Sequence, residues 1–410
     1  MFSICRSVLF LLFLAFTNTA SAQSYSETLD TIWSLARDKF VNAHMNGIDW
    51  PSVRREFGSR AAKARSEAEF SHVAGEMLGL LGTSHTAYLS PDDPMLPVLL
   101  DVYRGNPDLQ RLIDSRYGEK RPQLTGIGIF TRQIEGKTFV DLILDGSPAA
   151  KAGLKTGDEI VSVDDLPIDR FRTFDGKGGT DVQLAIRRGR DEQPRIVVVN
   201  VETDAALDVV DGASRNSIRQ IERDGKKIAY VRFWSMAGTV VEDLAAEMPL
   251  ADTDALVIDV RGLVGGGGPN LLDLLDPRTG KVCFATRSRT SCGPDSFRGR
   301  TVLLTDEHTR SAAEMLAHAF RRDDFGVIVG ARTAGAVSGG QLFPLANGGA
   351  VYLAVSKLTI DGLTLEGTGV APDRTIGRPL PYSAGADPQL DAAIDTAFCL
   401  AARKGSAACR

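Results

Sequence analysis

The sequence predicts a multidomain α/β protein, and three observations support this prediction. The chain has 410 residues, which is enough for two or three domains with buried cores. Residues 23 to about 100 place apolar side chains at helical spacing. Between residues 218 and 380, short apolar runs alternate with helical segments. The 43% hydrophobic and 24% charged content is that of an ordinary globular protein.

Residues 1–22 have the features of a secretory signal peptide. Arg6 supplies positive charge, residues 8–16 are apolar, and Ala20-Ser21-Ala22 forms a small-residue cleavage site. This apolar run is too short to span a bilayer, and no later stretch has the required length. We therefore expect a secreted or periplasmic protein with no membrane span in its mature form.

An N-terminal helical domain is expected over residues 23–100, followed by a connector at 101–123. Within it, a helix predicted from Glu67 to Leu81 presents one apolar face and ends at Gly82. His85 then lies on the next loop, a position where functional side chains are often found. A single histidine is more commonly structural, so this position alone does not assign a role.

A β-rich module is expected over residues 124–201. The run Gly126-Ile-Gly-Ile-Phe130 opens it, and strands are predicted at 138–144, 157–163, 182–188 and 195–201. A polar linker at 202–217 leads to the core at 218–380. Core strands are expected at 228–233, 255–260, 301–305 and 326–329, and core helices near 241–247, 270–275 and 311–321. Residues 381–410 should form a C-terminal helix.

Ser311 stands at the junction between strand 301–305 and the next helix. Free backbone N–H groups and the positive end of a helix dipole converge at such a junction, which favours a serine nucleophile or an oxyanion site. Ser311 and Glu314 also fit a capping box, which many helices use without any chemistry. A serine nucleophile needs a base within reach and a group that orients the base. The residues themselves leave both interpretations open.

Taken in order, these motifs resemble the C-terminal processing (tail-specific) serine peptidases, in the tricorn-like branch that uses histidine instead of lysine. The resemblance extends over most of the chain after the signal peptide. It rests on six segments, namely 81–86 (Leu-Gly-Thr-Ser-His-Thr), 124–201, 258–266, 309–314 (Thr-Arg-Ser-Ala-Ala-Glu), 329–335 and 365–373. It implies a PDZ domain at 124–201 and a crotonase/ClpP-like core of β-β-α units at 218–380.

The resemblance also implies a Ser-His-Ser-Glu tetrad. Ser311 would be the nucleophile and His85 its general base. Ser84 and Glu366 would complete the tetrad, with the carboxylate acting on the imidazole through the Ser84 hydroxyl. Activity should then fade as His85 becomes protonated, at about pH 6.5 for an unperturbed imidazole.

Two binding elements follow from the same resemblance. The oxyanion donors would be the backbone N–H groups of Ala312 and Gly265, although the glycine run 265–268 leaves open which amide faces the oxyanion. The PDZ domain would capture the terminal carboxylate of a polypeptide substrate through Thr125, Gly126, Ile127, Gly128 and Ile129. The alternative is that this domain only braces or gates the peptidase.

Two alternatives remain, one for the catalytic base and one for the function. The lysine-dependent relatives carry Gly-Lys-Gly where this chain has Gly335-Ala-Val337, so their lysine is absent here. The remaining candidate for a lysine base is Lys357, on a strand predicted at 350–359. A solvated strand residue is the simpler interpretation of Lys357. The other alternative is a catalytically idle protein that binds peptides or apolar ligands.

Composition limits the remaining possibilities. The five histidines lack zinc-ligand spacing, so we expect neither a metal nor a cofactor. The net charge of −5 and the lack of a basic stripe argue against nucleic acid as a partner. After signal cleavage four cysteines remain, and proximity in sequence favours the pairs Cys283–Cys292 and Cys399–Cys409 among three possible pairings. Free buried thiols are the alternative, and the oligomeric state stays open.

Overall fold

The computed structural model describes residues 24–169, 172–263, 266, 271–276, 283–285, 290–292, 297, 299–402 and 409. The predicted class, a multidomain α/β protein with N-terminal helices, a PDZ domain and a separate α/β core, is confirmed. The predicted signal peptide lies outside the described residues. Among the helices of the described residues, none combines the length and the apolar character needed to cross a bilayer.

Three capped helices form the N-terminal layer. They are α1 (Tyr25–Lys39), α2 (Trp50–Ala61) and α3 (Glu67–Gly79), with a 3₁₀ turn at Met45–Gly47. Ser24, Asp49 and Ser66 precede them, and each side chain accepts a hydrogen bond from a first-turn N–H. Trp33 and Trp50 hold α1 against α2, because each indole N–H donates to the other residue's carbonyl oxygen, at 2.8 and 3.1 Å.

The chain then crosses to the PDZ domain through β1 (Ala87–Leu89), α4 (Met95–Val102) and α5 (Pro107–Tyr117). The PDZ strands are β2 (Gln123–Gly126), β3 (Ile129–Ile134), β4 (Lys137–Ile143), β5 (Glu159–Val163), β6 (Asp181–Arg187), β7 (Arg195–Asn200) and β8 (Glu202–Ala205), with the short helix α6 (Pro148–Lys151). Five of them form an antiparallel sheet in the order β3-β4-β5-β6-β7, while β2 pairs with β8. In this sheet β3 is an edge strand.

The segment 202–217, expected to be a polar linker, is regular structure instead. It contains β8 and the helix α7 (Ala206–Ser217). Leu207, Val210 and Ala213 recur at helical spacing and are buried against Trp234. The exposed polar residues between them account for the linker-like composition.

The core is a six-stranded sheet in the order β18-β15-β14-β11-β10-β9. Its parallel strands are β10 (Lys226–Arg232), β11 (Ala255–Asp259), β14 (Arg300–Thr305), β15 (Gly326–Gly330) and β18 (Arg374–Thr375), and β9 (Arg219–Arg223) is antiparallel to β10. One face packs on α8 (Val240–Glu247), α9 (Leu271–Leu275) and α10 (Ala312–Arg322), and the other on α11 (Pro388–Ala402). Burial on both faces explains the apolar runs of the central strands β11, β14 and β15.

Three smaller features lie outside the core sheet. A 3₁₀ turn lies at Leu250–Asp252, and a hairpin joins β12 (Cys283–Ala285) to β13 (Thr290–Cys292), where Cys283 is directly opposite Cys292. At the C-terminus the Cα atoms of Cys399 and Cys409 lie 5.8 Å apart.

A second sheet joins the N-terminal loop to the core. Its order is β1-β17-β16, with β16 at Gly339–Pro344 and β17 at Ala350–Ser356. Val351, Leu353 and Ala354 of β17 share a buried cluster with α1, α2 and α3. The loop between α3 and β1, which carries His85, is therefore held at both ends against residues more than 250 positions away in sequence.

Candidate active site

Ser311 ends a loop that leaves the middle of the core sheet. Asp306, fully buried, orders this loop because its Oδ1 accepts from the N–H groups of His308 and Thr309, at 3.0 and 2.9 Å. Ser311 itself has φ 58° and ψ −126°, a conformation that side-chain-bearing residues rarely adopt. Strained backbone of this kind is concentrated at functional sites, where the surrounding structure maintains it.

The capping-box interpretation of Ser311 and Glu314 is wrong. Ser311 precedes α10 but its side chain makes no capping hydrogen bond. The buried Glu314 carboxylate instead accepts from the Thr333 hydroxyl at 2.6 Å and from the N–H groups of Gly335 and Ala336, at 2.7 and 2.6 Å. The half-buried Ser311 hydroxyl makes no hydrogen bond to any described residue, His85 included.

The backbone N–H groups of Ser311 and Ala312 differ in whether they already have an acceptor among the described residues. The Ser311 N–H is used, because it donates to the Ala336 carbonyl at 2.8 Å. The Ala312 N–H has no acceptor among the described residues, and it lies at the positive end of the eleven-residue helix α10. Gly265, predicted as the other oxyanion donor, lies outside the described residues, so that assignment stays a prediction.

His85 belongs to a hydrogen-bonded chain that ends at Glu366. Its Nδ1 is 2.8 Å from Ser84 Oγ, and Ser84 Oγ donates to Glu366 Oε2 at 2.9 Å. Because the Ser84 hydroxyl has one proton and gives it to the carboxylate, it must accept from Nδ1–H. This arrangement selects the tautomer in which Nε2 carries the lone pair that a general base needs.

Glu366 is held by four hydrogen bonds. Besides the Ser84 hydroxyl, it accepts from the N–H groups of Ser84 at 2.8 Å and of Val337 and Ser338 at 2.9 Å each. Burial alone would raise the pKa of this carboxyl, but the hydrogen bonds outweigh it and lower the pKa below its usual value. Glu366 is therefore ionised at neutral pH and fixes both Ser84 and the segment after Ala336.

The surroundings of His85 favour its neutral form. Burial lowers the pKa of the imidazole, the Arg310 charge lowers it further, and the Glu366 carboxylate opposes both by raising it. The net pKa lies below 6.5, so the ring is unprotonated at neutral pH. The ring of Tyr352 lies 5.3 Å from the ring of His85, and the Tyr352 hydroxyl is 2.9 Å from that of Tyr103.

One backbone segment, 333–338, connects the two halves of the site. Glu314, one turn into α10, holds its beginning, and Glu366 holds its end. The carbonyl of Ala336 binds the Ser311 N–H, while the next residue, Val337, binds Glu366. The sequence did not reveal Glu314 as part of this framework. Its position three residues after Ser311 was already explained by a capping box.

The other predicted residues lie apart from this framework. Thr125 and Gly126 belong to β2, Ile127 is buried, and Ile129 begins the edge strand β3. Lys357 is exposed and follows the last residue of β17, so the strand ends earlier than predicted. Among the described residues, no group of three His, Cys, Asp or Glu side chains is arranged to hold a metal ion.

Known proteins match this chain in three regions. Residues 227–376 match the model of Peptidase family S41, residues 21–79 the Tricorn protease C1 domain and residues 139–200 the PDZ domain. A carboxyl-terminal-processing protease of Picosynechococcus is 27% identical over 95% of this chain and 94% of its own length. Tricorn protease homolog 2 of Streptomyces coelicolor is 28% identical over 92% of this chain, which spans only 32% of that relative.

Solved structures share the fold. The photosystem II D1 C-terminal processing protease superposes with a TM-score of 0.50 at 21% identity, covering 86% of this chain and 93% of that one. The tricorn protease gives a TM-score of 0.53 at 20% identity, covering 93% of this chain and 37% of that one. Fold, site and matches together define a serine-type peptidase with a PDZ domain. Over residues 227–376 the chain matches peptidase family S41, and a relative aligned over nearly its whole length is named a carboxyl-terminal-processing protease.

Proposed function

We propose that this chain is a secreted or periplasmic serine endopeptidase that cleaves polypeptides near their C-termini. Its catalytic residues are Ser311, His85, Ser84 and Glu366. The observation that carries the proposal is the hydrogen-bonded chain from Glu366 through Ser84 to His85 Nδ1, which leaves Nε2 as a base. The names of several relatives, carboxyl-terminal-processing proteases, support the substrate class.

In the proposed mechanism His85 Nε2 takes the Ser311 hydroxyl proton while Oγ attacks the scissile carbonyl carbon. The carbonyl oxygen becomes an oxyanion that accepts a hydrogen bond from the Ala312 N–H. The imidazolium then gives its Nε2 proton to the leaving amine, and an acyl-enzyme remains. A water molecule, deprotonated by the same nitrogen, hydrolyses the acyl-enzyme and restores Ser311.

Ser84 and Glu366 stabilise the charge that appears on His85 during this step. Nδ1–H stays hydrogen-bonded to Ser84 Oγ, whose own proton stays directed at the ionised Glu366 carboxylate. The contact between Ser311 and His85 would form on substrate binding, since catalytic hydrogen bonds often tighten only in the complex.

Recognition by the PDZ domain is part of the proposal. An extended peptide can add to the edge strand β3, with its terminal carboxylate at residues 125–129. Arg132 on β3 also bonds to Glu307 and His308, two residues of the loop that leads to Ser311. A peptide bound along β3 would thus lie beside the loop that carries the nucleophile.

Export is the remaining part of the proposal. Its support is the signal-like sequence of residues 1–22 and the Cα separation of Cys399 and Cys409, which suits a disulfide. We propose a second disulfide between Cys283 and Cys292, which are opposite one another in the hairpin. Disulfides persist in exported proteins and are rare in the cytosol.

Labelling with a serine-directed fluorophosphonate tests the proposed function against an idle binding protein. The wild type should be labelled, because His85 activates the Ser311 hydroxyl toward the phosphorus, and Ser311→Ala should not. Ser59→Ala removes an exposed hydroxyl from α2 and serves as the control, which should be labelled like the wild type. Peptide mapping should place the label on Ser311. Absence of labelling in all three proteins would favour the binding protein.

The pH profile of peptide cleavage should show an acid limb below pH 6.5. His85 acts in its neutral form, and its pKa is lowered, so activity is lost only as the pH falls through that lowered value. The measurement is kcat/KM between about pH 4.5 and 8, a range that brackets the ordinary imidazole pKa. His72→Gln, on the exposed surface of α3, serves as the control and should leave the limb in place. A limb at or above about pH 6.5 would contradict this assignment.

A further inference from the structure

Arg310 carries a positive charge on the residue next to the candidate nucleophile. It directly precedes Ser311, and its carbonyl accepts from the Ala313 N–H at 3.2 Å, which anchors its backbone at the start of α10. Its side chain is exposed and makes no ion pair or hydrogen bond to any described residue. Arg132 and Arg261, in contrast, are paired with carboxylates, so folding accounts for those two charges.

The charge of Arg310 affects the pKa values of His85 and Tyr352. It lowers the pKa of His85, after the larger effect of burial. Burial raises the pKa of Tyr352, and the Arg310 charge opposes that rise. These two rings are neighbours, one on the loop before β1 and one on β17, and the charge of Arg310 acts on both.

Two carboxylates of the site, those of Glu366 and Glu307, are already occupied. Glu366 accepts four hydrogen bonds, and Glu307 pairs with Arg132 at 3.3 Å. The Ala312 N–H and the dipole of α10 add further positive potential at Ser311. An unpaired guanidinium beside a helix N-terminus favours a ligand that carries an anionic group.

We propose that Arg310 selects substrates by pairing with a carboxylate near the scissile bond. This inference rests on the proposed peptidase function and names its substrate class. The carboxylate is either an Asp or Glu side chain or the free α-carboxylate of the polypeptide. Both offer two oxygens to the planar guanidinium fork, a geometry that a lysine ammonium does not reproduce.

Matched peptides test this selection in the full chain. One set places Glu or its neutral isostere Gln at each position that flanks the cleaved bond, with the C-terminus amidated. A second set keeps Gln and compares a free C-terminus with an amide. The wild type should favour the carboxylate peptide by about two- to fivefold in kcat/KM, the size expected for a solvent-exposed ion pair. In Arg310→Gln this ratio should fall to about one, since only the charge-assisted contact distinguishes the isosteres.

Two further variants sharpen the test. Arg310→Glu should invert the preference toward a Lys-containing peptide. Arg111→Gln removes the same charge from an exposed side chain of α5 that has no partner among the described residues, and it should keep the wild-type ratio. Higher ionic strength should reduce the wild-type preference, because the contact is exposed to solvent.

The outcomes separate the two proposals. Preference for carboxylate in either peptide set, lost in Arg310→Gln, supports the inference and identifies the source of the carboxylate. Fluorophosphonate labelling of Ser311 combined with equal ratios in wild type and Arg310→Gln overturns the role of Arg310 alone. Failure of labelling overturns the peptidase function and this inference with it.

Discussion

Replacing His85 by alanine is expected to lower kcat/KM for peptide cleavage by about 10⁴-fold or more, the same loss that we expect for Ser311→Ala. Without the imidazole, no described group in the hydrogen-bonded chain can take the Ser311 proton, since Glu366 is separated from it by Ser84. A fluorogenic peptide assay measures the loss. The double variant should lose no more than either single variant, because nucleophile and base act as one unit.

Backbone strain calls for a second His85 variant. His85 has φ 55°, which alanine adopts at a cost and asparagine tolerates better. His85→Asn should therefore stay folded, as judged by its urea unfolding midpoint, and be equally inactive. Lys357→Ala removes an exposed side chain beyond β17 and should retain activity. An inactive Lys357→Ala alongside an active His85→Asn would instead identify lysine as the base.

Local patterns in the sequence predicted the fold well where a strand or helix has one dominant environment. The core strands β11 and β14 are buried on both faces, so their apolar runs were unambiguous. The segment 202–217 was misjudged because the buried face of α7 includes Ser214 and Ser217 beside Leu207 and Val210, so its composition is less apolar than that of most buried faces. A periodicity count over that window would have favoured a helix.

The site is built from contacts that spacing in the sequence does not reveal. Ser84 and Glu366 are 282 residues apart, and only the family resemblance connected them. The spacing of Ser311 and Glu314 suggested a capping box that the structure does not form, and the reason is physical. Once the chain takes a positive φ at Ser311, the capping geometry is lost and Glu314 becomes available to Thr333 and the following N–H groups. Local propensity and tertiary hydrogen bonding compete for the same side chain, and here the tertiary contacts prevail.

Changing Glu366 to glutamine should lower kcat by about 10²- to 10⁴-fold while the fold persists. The carboxylate accepts on both oxygens, three donors on Oε2 and the Ser84 N–H on Oε1. A glutamine amide has one acceptor oxygen, so its NH₂ group must face a donor that it cannot bind.

That mismatch acts on His85 through Ser84. If the NH₂ group turns toward the Ser84 hydroxyl, this hydroxyl can no longer donate to residue 366, and the Nδ1–H tautomer of His85 loses its support. The imidazolium also loses the negative charge that stabilises it, which lowers kcat more than it raises KM. Glu222→Gln, on the exposed edge strand β9, is the matched control and should behave as wild type. Steady-state kinetics and unfolding midpoints of both variants separate the catalytic effect from a loss of structure. A folded Glu366→Gln variant with the kcat of the wild type would exclude the carboxylate from the mechanism.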